Sequence, residues 1–307
     1  MKSKKIKHKS EIKLVLLTFI LSFIGGYVWQ GIIRTVVAVY QSKKLGSSEA
    51  GTAYMNKLLT TNLTFQLIAY MGMELVTLLI ACSIIKKYNE GKFNLDLIGM
   101  KLKKRSVKQL FLGVGIALLM QFVLYVVLTI LGYAKYIGSD FVNYPILNVL
   151  VSIIIALGIG ASAGFVEEIW FRGIILKYLM NKKGKVFALI ISSLAFSIYH
   201  AGRLDPILML QAFLIGIVLG YLYIITDSIY LSIGLHSGWN FCSSIIKNGD
   251  SLFNIKSVFI FNVDNTILNI SPIILYLIVL ISAFIMYKRK KNNLSLVSEN
   301  NNIDYGK

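Results

Sequence analysis

The chain has 307 residues, 56% of them hydrophobic and 15% charged, with a formal net charge of +18 at pH 7. Soluble domains carry about 25% charged residues, so this composition excludes an ordinary soluble core and points to an all-α, polytopic membrane protein. The surplus of base does not mark a nucleic-acid binder, because it collects between apolar runs and nowhere interleaves with aromatics as an RNA-binding surface does.

A spanning helix needs roughly 20 apolar residues. Eight segments approach that length: residues 13–37, 63–85, 110–131, 146–165, 186–200, 207–226, 229–246 and 273–287. The first follows the basic stretch "MKSKKIKHKSEIK". No small-x-small cleavage site follows it, so it reads as an anchor and not as a signal peptide. The fourth keeps an apolar face through "IWFRGIILKYLM" and can continue as helix to Tyr178, while the fifth is short. The polar stretch 292–307 predicts a flexible tail on a single membrane domain, 1–307. Cys82 and Cys242 lie in apolar segments and make no metal-ligand pattern.

Basic residues set the expected orientation. With the N-terminus inside, the inner segments hold 24 Lys and Arg and the outer ones 7, with Arg34 inside the first span. That asymmetry predicts both termini on the cytoplasmic side of the cell membrane and an even number of spans.

Acids and imidazoles within or bordering the spans are few. They are Glu74, Glu167, Glu168, His200 and His236, since His8 lies in the basic tail. An ionisable side chain at the centre of a membrane helix costs about 2.5–3.5 kcal/mol, which makes each a functional candidate by default. In "AGFVEEIWFRG", Glu168 and Arg172 stand at i, i+4 with the acid first, the better order for a pair. Glu167 points about 100° away around the helix, so one carboxylate can be neutralised locally while its neighbour acts elsewhere. Further on, "AFSIYHAG" carries Phe196 and His200, and "GLHSGWNF" puts His236 and Asn240 on one helix face. The turn "NKKGK" joins spans four and five, and Glu167 and His200 lie symmetrically about it. One difficulty is depth. His236 is about 12 Å of helix from its turn and His200 about 22 Å from "NKKGK", so they meet only if that hairpin protrudes or the spans tilt or break.

A carboxylate with two imidazoles suits hydrolysis. A desolvated carboxylate gains basicity and can take a proton from water. A neutral imidazole can orient that water, and Asn or His donors can stabilise an oxyanion. Glu167, His200 and His236 also match the donor types of a catalytic zinc site, so Zn2+-bound and metal-free water both stay open. No HExxH helix and no G-x-S-x-G elbow occurs.

Taken together, Glu167-Glu168-Ile-Trp-Phe-Arg172, Phe196 to His200 and His236 to Asn240 resemble the EExxxR, FxxxH and HxxxN motifs of the CPBP family of intramembrane proteases, the CAAX-protease and bacteriocin-processing (Abi) group. The resemblance covers about residues 158–242. It implies a catalytic core over 145–247 that cleaves a peptide bond in a membrane-associated peptide or protein. Glu167 would activate water with His200 assisting, His236 and Asn240 would shape the oxyanion site, and Glu168, Arg172 and Phe196 would support them. The chain is rich in Lys, Asn and Ile and reads as bacterial. There the resemblance offers bacteriocin self-immunity or maturation of secreted peptides. Two other classes share these residues: a non-catalytic immunity or scaffold protein, and a proton-coupled transporter in which Glu74 would fit a relay. Trp170 and Trp239 flank motif positions and read as interfacial anchors or pocket walls, walls being preferred.

Overall fold

The structure is a computed structural model that describes residues 10–200, 205–247 and 255–303. His8 with most of the basic N-terminal stretch, Arg203 and the final residues 304–307 lie outside the described residues. In chain order the helices are α1 (Ser10–Leu45), α2 (Ser48–Thr61), α3 (Leu63–Tyr88), α4 (Ser106–Ile130), the short α5 (Asp140–Asn143) and α6 (Ile146–Glu168), then a π-helical stretch Ile169–Leu176 leading into α7 (Lys177–Lys183). They continue as α8 (Lys185–Tyr199), α9 (Pro206–Thr226), α10 (Tyr230–Ile245) and α11 (Asn265–Ile303), with strands β1 (Ala134–Gly138), β2 (Ile246–Lys247) and β3 (Phe259–Val263) between them. The protein is thus a helical, multi-pass membrane bundle.

Among the described residues, six helices are long and apolar enough to cross a membrane: Glu11–Leu45, Leu63–Tyr88, Ser106–Ile130, Ile146–Lys183, Pro206–Thr226 and Asn265–Arg289. They turn bulky apolar side chains outward, such as Phe122, Ile130, Ile154 and Met286, which only lipid would cover at this scale. The two other expected spans are the short helices α8 and α10. On α8, Val186, Ile190, Leu194 and Ile198 form an exposed apolar stripe at i, i+4 spacing. In contrast, α10 is buried from Tyr230 to His236. A helix walled in by its neighbours has no need to match bilayer thickness.

The wall is built by glycines. α10 packs between α4 and α6, and its close approach needs bare backbone on both sides. A Cβ on Gly234 would fall inside contact distance of the Leu110 carbonyl, one on Gly113 would strike the Leu231 carbonyl, and one on Gly164 would strike Ser237. This is the small-residue packing that draws membrane helices together where lipid gives no hydrophobic drive. Gly234→Leu is therefore expected to push α10 off α4 and lower stability by about 1–3 kcal/mol. Thermal unfolding in detergent checks this, and an unchanged midpoint would contradict it.

Capping residues start and stop these helices. Ser47 and Asn62 accept from the amides of Ala50 and Phe65 at the starts of α2 and α3, and Asp205 accepts from Ile207 and Leu208 ahead of Pro206 at the start of α9. Asp227 ends α9 in the left-handed region with φ 49°. At this end of the bundle, Lys103 pairs with Asp227 at 2.7 Å, Arg105 donates to the Thr226 carbonyl, and Lys177 donates to the Asp96 carbonyl. Glu11 pairs with Lys182 at 3.4 Å. The basic segments expected on one side of the membrane are thereby in mutual contact.

One feature departs from expectation. A three-stranded sheet, ordered β1-β3-β2, lies beside the bundle, with β1 antiparallel and β2 parallel to β3. Asp140 pins it, accepting from the Ser257 amide at 2.6 Å.

Candidate active site

The site is assembled where α6 gives way to the π-helical stretch. Glu167 and Glu168 are the last two residues of α6, 4% and 0% exposed. Beyond them the amide of Lys177 bonds the carbonyl of Arg172, five residues back. Such widened turns occur often at functional sites. Arg172 is fully buried on this stretch. Its guanidinium donates to Glu168 Oε1 at 2.7 Å and to the Gly216 carbonyl of α9 at 3.1 Å, and it lies over the Phe196 ring at 4.6 Å. A charge pair of this kind is tolerated in an apolar interior only when geometry and further hydrogen bonds offset desolvation.

Glu168 has a second partner. His236 Nδ1 lies 3.0 Å from the same Oε1. His200 Nδ1 lies 2.9 Å from the Phe196 carbonyl, at the end of α8. Both partners can only accept, so in a neutral imidazole each Nδ1 carries the proton and each Nε2 presents a lone pair. Those two Nε2 atoms face one point: Glu167 Oε2 is 3.6 Å from His200 Nε2 and 3.8 Å from His236 Nε2. That oxygen is buried and has no hydrogen-bond partner among the described residues. Three acceptors around a gap call for a donor between them, and a water molecule supplies two O–H groups.

Phe196 holds the two imidazoles apart from the core. Its ring lies tilted against His200 at 4.4 Å and meets His236 nearly edge-on at 5.6 Å. Beside the cluster lies a cavity of about 440 Å³, bounded by His200, His236 and Asn240 and by apolar walls that include Leu208, Trp239 and Tyr276. His200 is the open member, its side chain 38% exposed against 8% for His236.

The structure brings Glu167, His200 and His236 together, and ties Glu168 and Arg172 behind them. Asn240 shares the cavity one turn beyond His236. The two tryptophans separate in role. Trp239 is a cavity wall against Tyr276, whereas Trp170 is 1% exposed and packs in the core against Phe19 and Tyr199. The continuous helical run Ile146–Lys183 has 38 residues, more than about 50 Å, against a hydrocarbon core of about 30 Å. Sequence reasoning missed Tyr199, whose hydroxyl reaches Glu74 Oε1 at 3.4 Å. Its only signal was adjacency to His200.

Glu167, His200 and His236 are donor types that zinc accepts. A tetrahedral zinc with ligands at about 2.0–2.1 Å sets them about 3.4 Å apart, closer than the 3.6 and 3.8 Å found between Glu167 Oε2 and the two Nε2 atoms. No group of three or more His, Cys, Asp or Glu among the described residues is arranged to hold a metal ion. The donors fit in kind but not in arrangement.

A multi-pass helical bundle with an acid and two imidazoles converging beside a cavity defines the class: a membrane protein with a buried acid–imidazole site. Residues 148–242 match the family model described as type II CAAX prenyl endopeptidase Rce1-like. That stretch is Rce1-like, consistent with the CPBP family, and the match supports an intramembrane endopeptidase at family level. No curated protein and no solved structure matches the chain.

Proposed function

We propose that this protein hydrolyses a peptide bond of a membrane-associated peptide or protein, with Glu167 as the base that activates water. One observation carries the reading: a buried Glu167 oxygen, without a hydrogen-bond partner among the described residues, faces the bare Nε2 atoms of two imidazoles beside a cavity open to substrate. Water held at that point donates one hydrogen to Glu167 and the other to His200. Glu167 takes a proton as the oxygen attacks the carbonyl carbon, and later gives it to the leaving amine. Asn240 donates to the oxyanion from the cavity wall. His236 is oriented by Glu168, as an acid orients the histidine of a hydrolase triad. Glu168 thereby holds the His236 ring with its bare Nε2 toward the water site.

In this account the water needs no metal, the catalytic core is 145–247, and both termini are cytoplasmic in the cell membrane. Bacteriocin self-immunity and maturation of secreted peptides are the settings it would serve. The test is purified protein in lipid nanodiscs with a membrane-anchored peptide library in 18O-labelled water. Wild type is expected to yield paired fragments with one 18O in the new carboxyl group, and a chelator is expected to leave the rate unchanged. Loss of activity with chelator, restored by zinc, would overturn the metal-free mechanism. No cleavage, with gradient-driven solute uptake instead, would replace the protease by a transporter.

A further inference from the structure

Glu74 is a buried acid that the reaction above does not use. It lies on α3 at 1% exposure, and its Oε2 has no hydrogen-bond partner among the described residues. A carboxyl in such a place costs energy that a leucine would avoid, so packing does not account for it. Its hydrogen-bonding contact is a phenol: Tyr199 donates to Oε1 at 3.4 Å. Tyr199 immediately precedes His200, and its ring meets the His200 imidazole edge-on at 5.2 Å.

His200 needs such support. It caps α8, where regular backbone hydrogen bonding ends, and its side chain is 38% exposed. Two of its restraints, the Phe196 carbonyl and the Phe196 ring, belong to α8 itself. Free movement of that last turn would carry them along with the imidazole. The Tyr199 hydroxyl is different because it fastens the turn to α3. We propose that Glu74 is a positioning residue for His200. It anchors Tyr199, and through that ring it keeps the imidazole aimed at Glu167. The role rests on the hydrolytic reading and adds a residue from outside the matched segment 148–242.

The clamp works through oxygen acceptance and not through charge, which separates the variants. Glu74→Gln keeps an acceptor for the Tyr199 hydroxyl. Glu74→Leu removes it, and Tyr199→Phe removes the hydroxyl but keeps the ring. All are measured as full-length protein in nanodiscs on one peptide that wild type cleaves, with thermal unfolding in parallel and Glu167→Gln alongside. Glu74→Leu and Tyr199→Phe are expected to lower kcat by about ten- to hundredfold with KM unchanged. Glu74→Gln should stay close to wild type. The double variant Glu74→Leu, Tyr199→Phe should be no slower than the slower single, since both break one contact. Full kcat in Tyr199→Phe, additive losses in the double, or a Glu74→Gln as slow as Glu74→Leu would each overturn the clamp. If Glu74→Leu fails to fold, Tyr199→Phe decides alone. Cleavage by Glu167→Gln would instead remove the hydrolytic reading itself.

Discussion

Glu167→Gln is expected to lower peptide cleavage by about 10²- to 10⁴-fold, the usual contribution of a positioned general base, with the fold intact. The amide is nearly the same size as the carboxylate and keeps one acceptor oxygen, so water can still bind. What it cannot do is take the proton. The loss should fall on kcat, since Glu167 is absent from the residues that line the cavity walls. Steady-state kinetics on a single peptide checks this. A scaffold or immunity protein that merely binds a partner would show no such dependence, and binding would survive the substitution.

Arg172→Met is expected to be the most destabilising single change, by about 3–5 kcal/mol. The guanidinium is fully buried and is the cation that meets Glu168 at 2.7 Å. Without it, Glu168 is left as a buried charge with only the His236 Nδ1–H for company, and the Gly216 carbonyl loses its donor. The double variant Glu168→Gln, Arg172→Met leaves no uncompensated charge, so it should recover much of that stability. Denaturation in detergent measures both. A single variant that unfolds at the wild-type temperature would mean that the pair is not holding this part of the helix, and the placement of His236 would then need another cause.

The candidate residues were legible in the sequence because acids and imidazoles are conspicuous among mostly apolar neighbours. The Glu168–Arg172 spacing and the divergence of Glu167 follow from helix geometry, which is local. The rest depends on contacts that no short window contains. α10 reaches the depth of Glu167 because Gly234 and Gly113 let it close on α4, and Gly164 lets it close on α6. Each glycine alone is unremarkable in a membrane helix. The widened turn at Ile169–Leu176 leaves no mark in a run that reads equally well as α-helix. The strands β1 and β3 are 5 residues each, without clean alternation, and pair across more than 100 positions of chain. Glu74 was visible as an anomaly, but its partner Tyr199 was one tyrosine among 17.

The most direct measurement is an experimental structure of the full-length protein in lipid, at a resolution that shows ordered water. The account predicts one solvent-sized feature in contact with Glu167 Oε2 and the Nε2 atoms of His200 and His236, reachable from the cavity. A dry gap there, or those three side chains turned to different faces of the bundle, would contradict it.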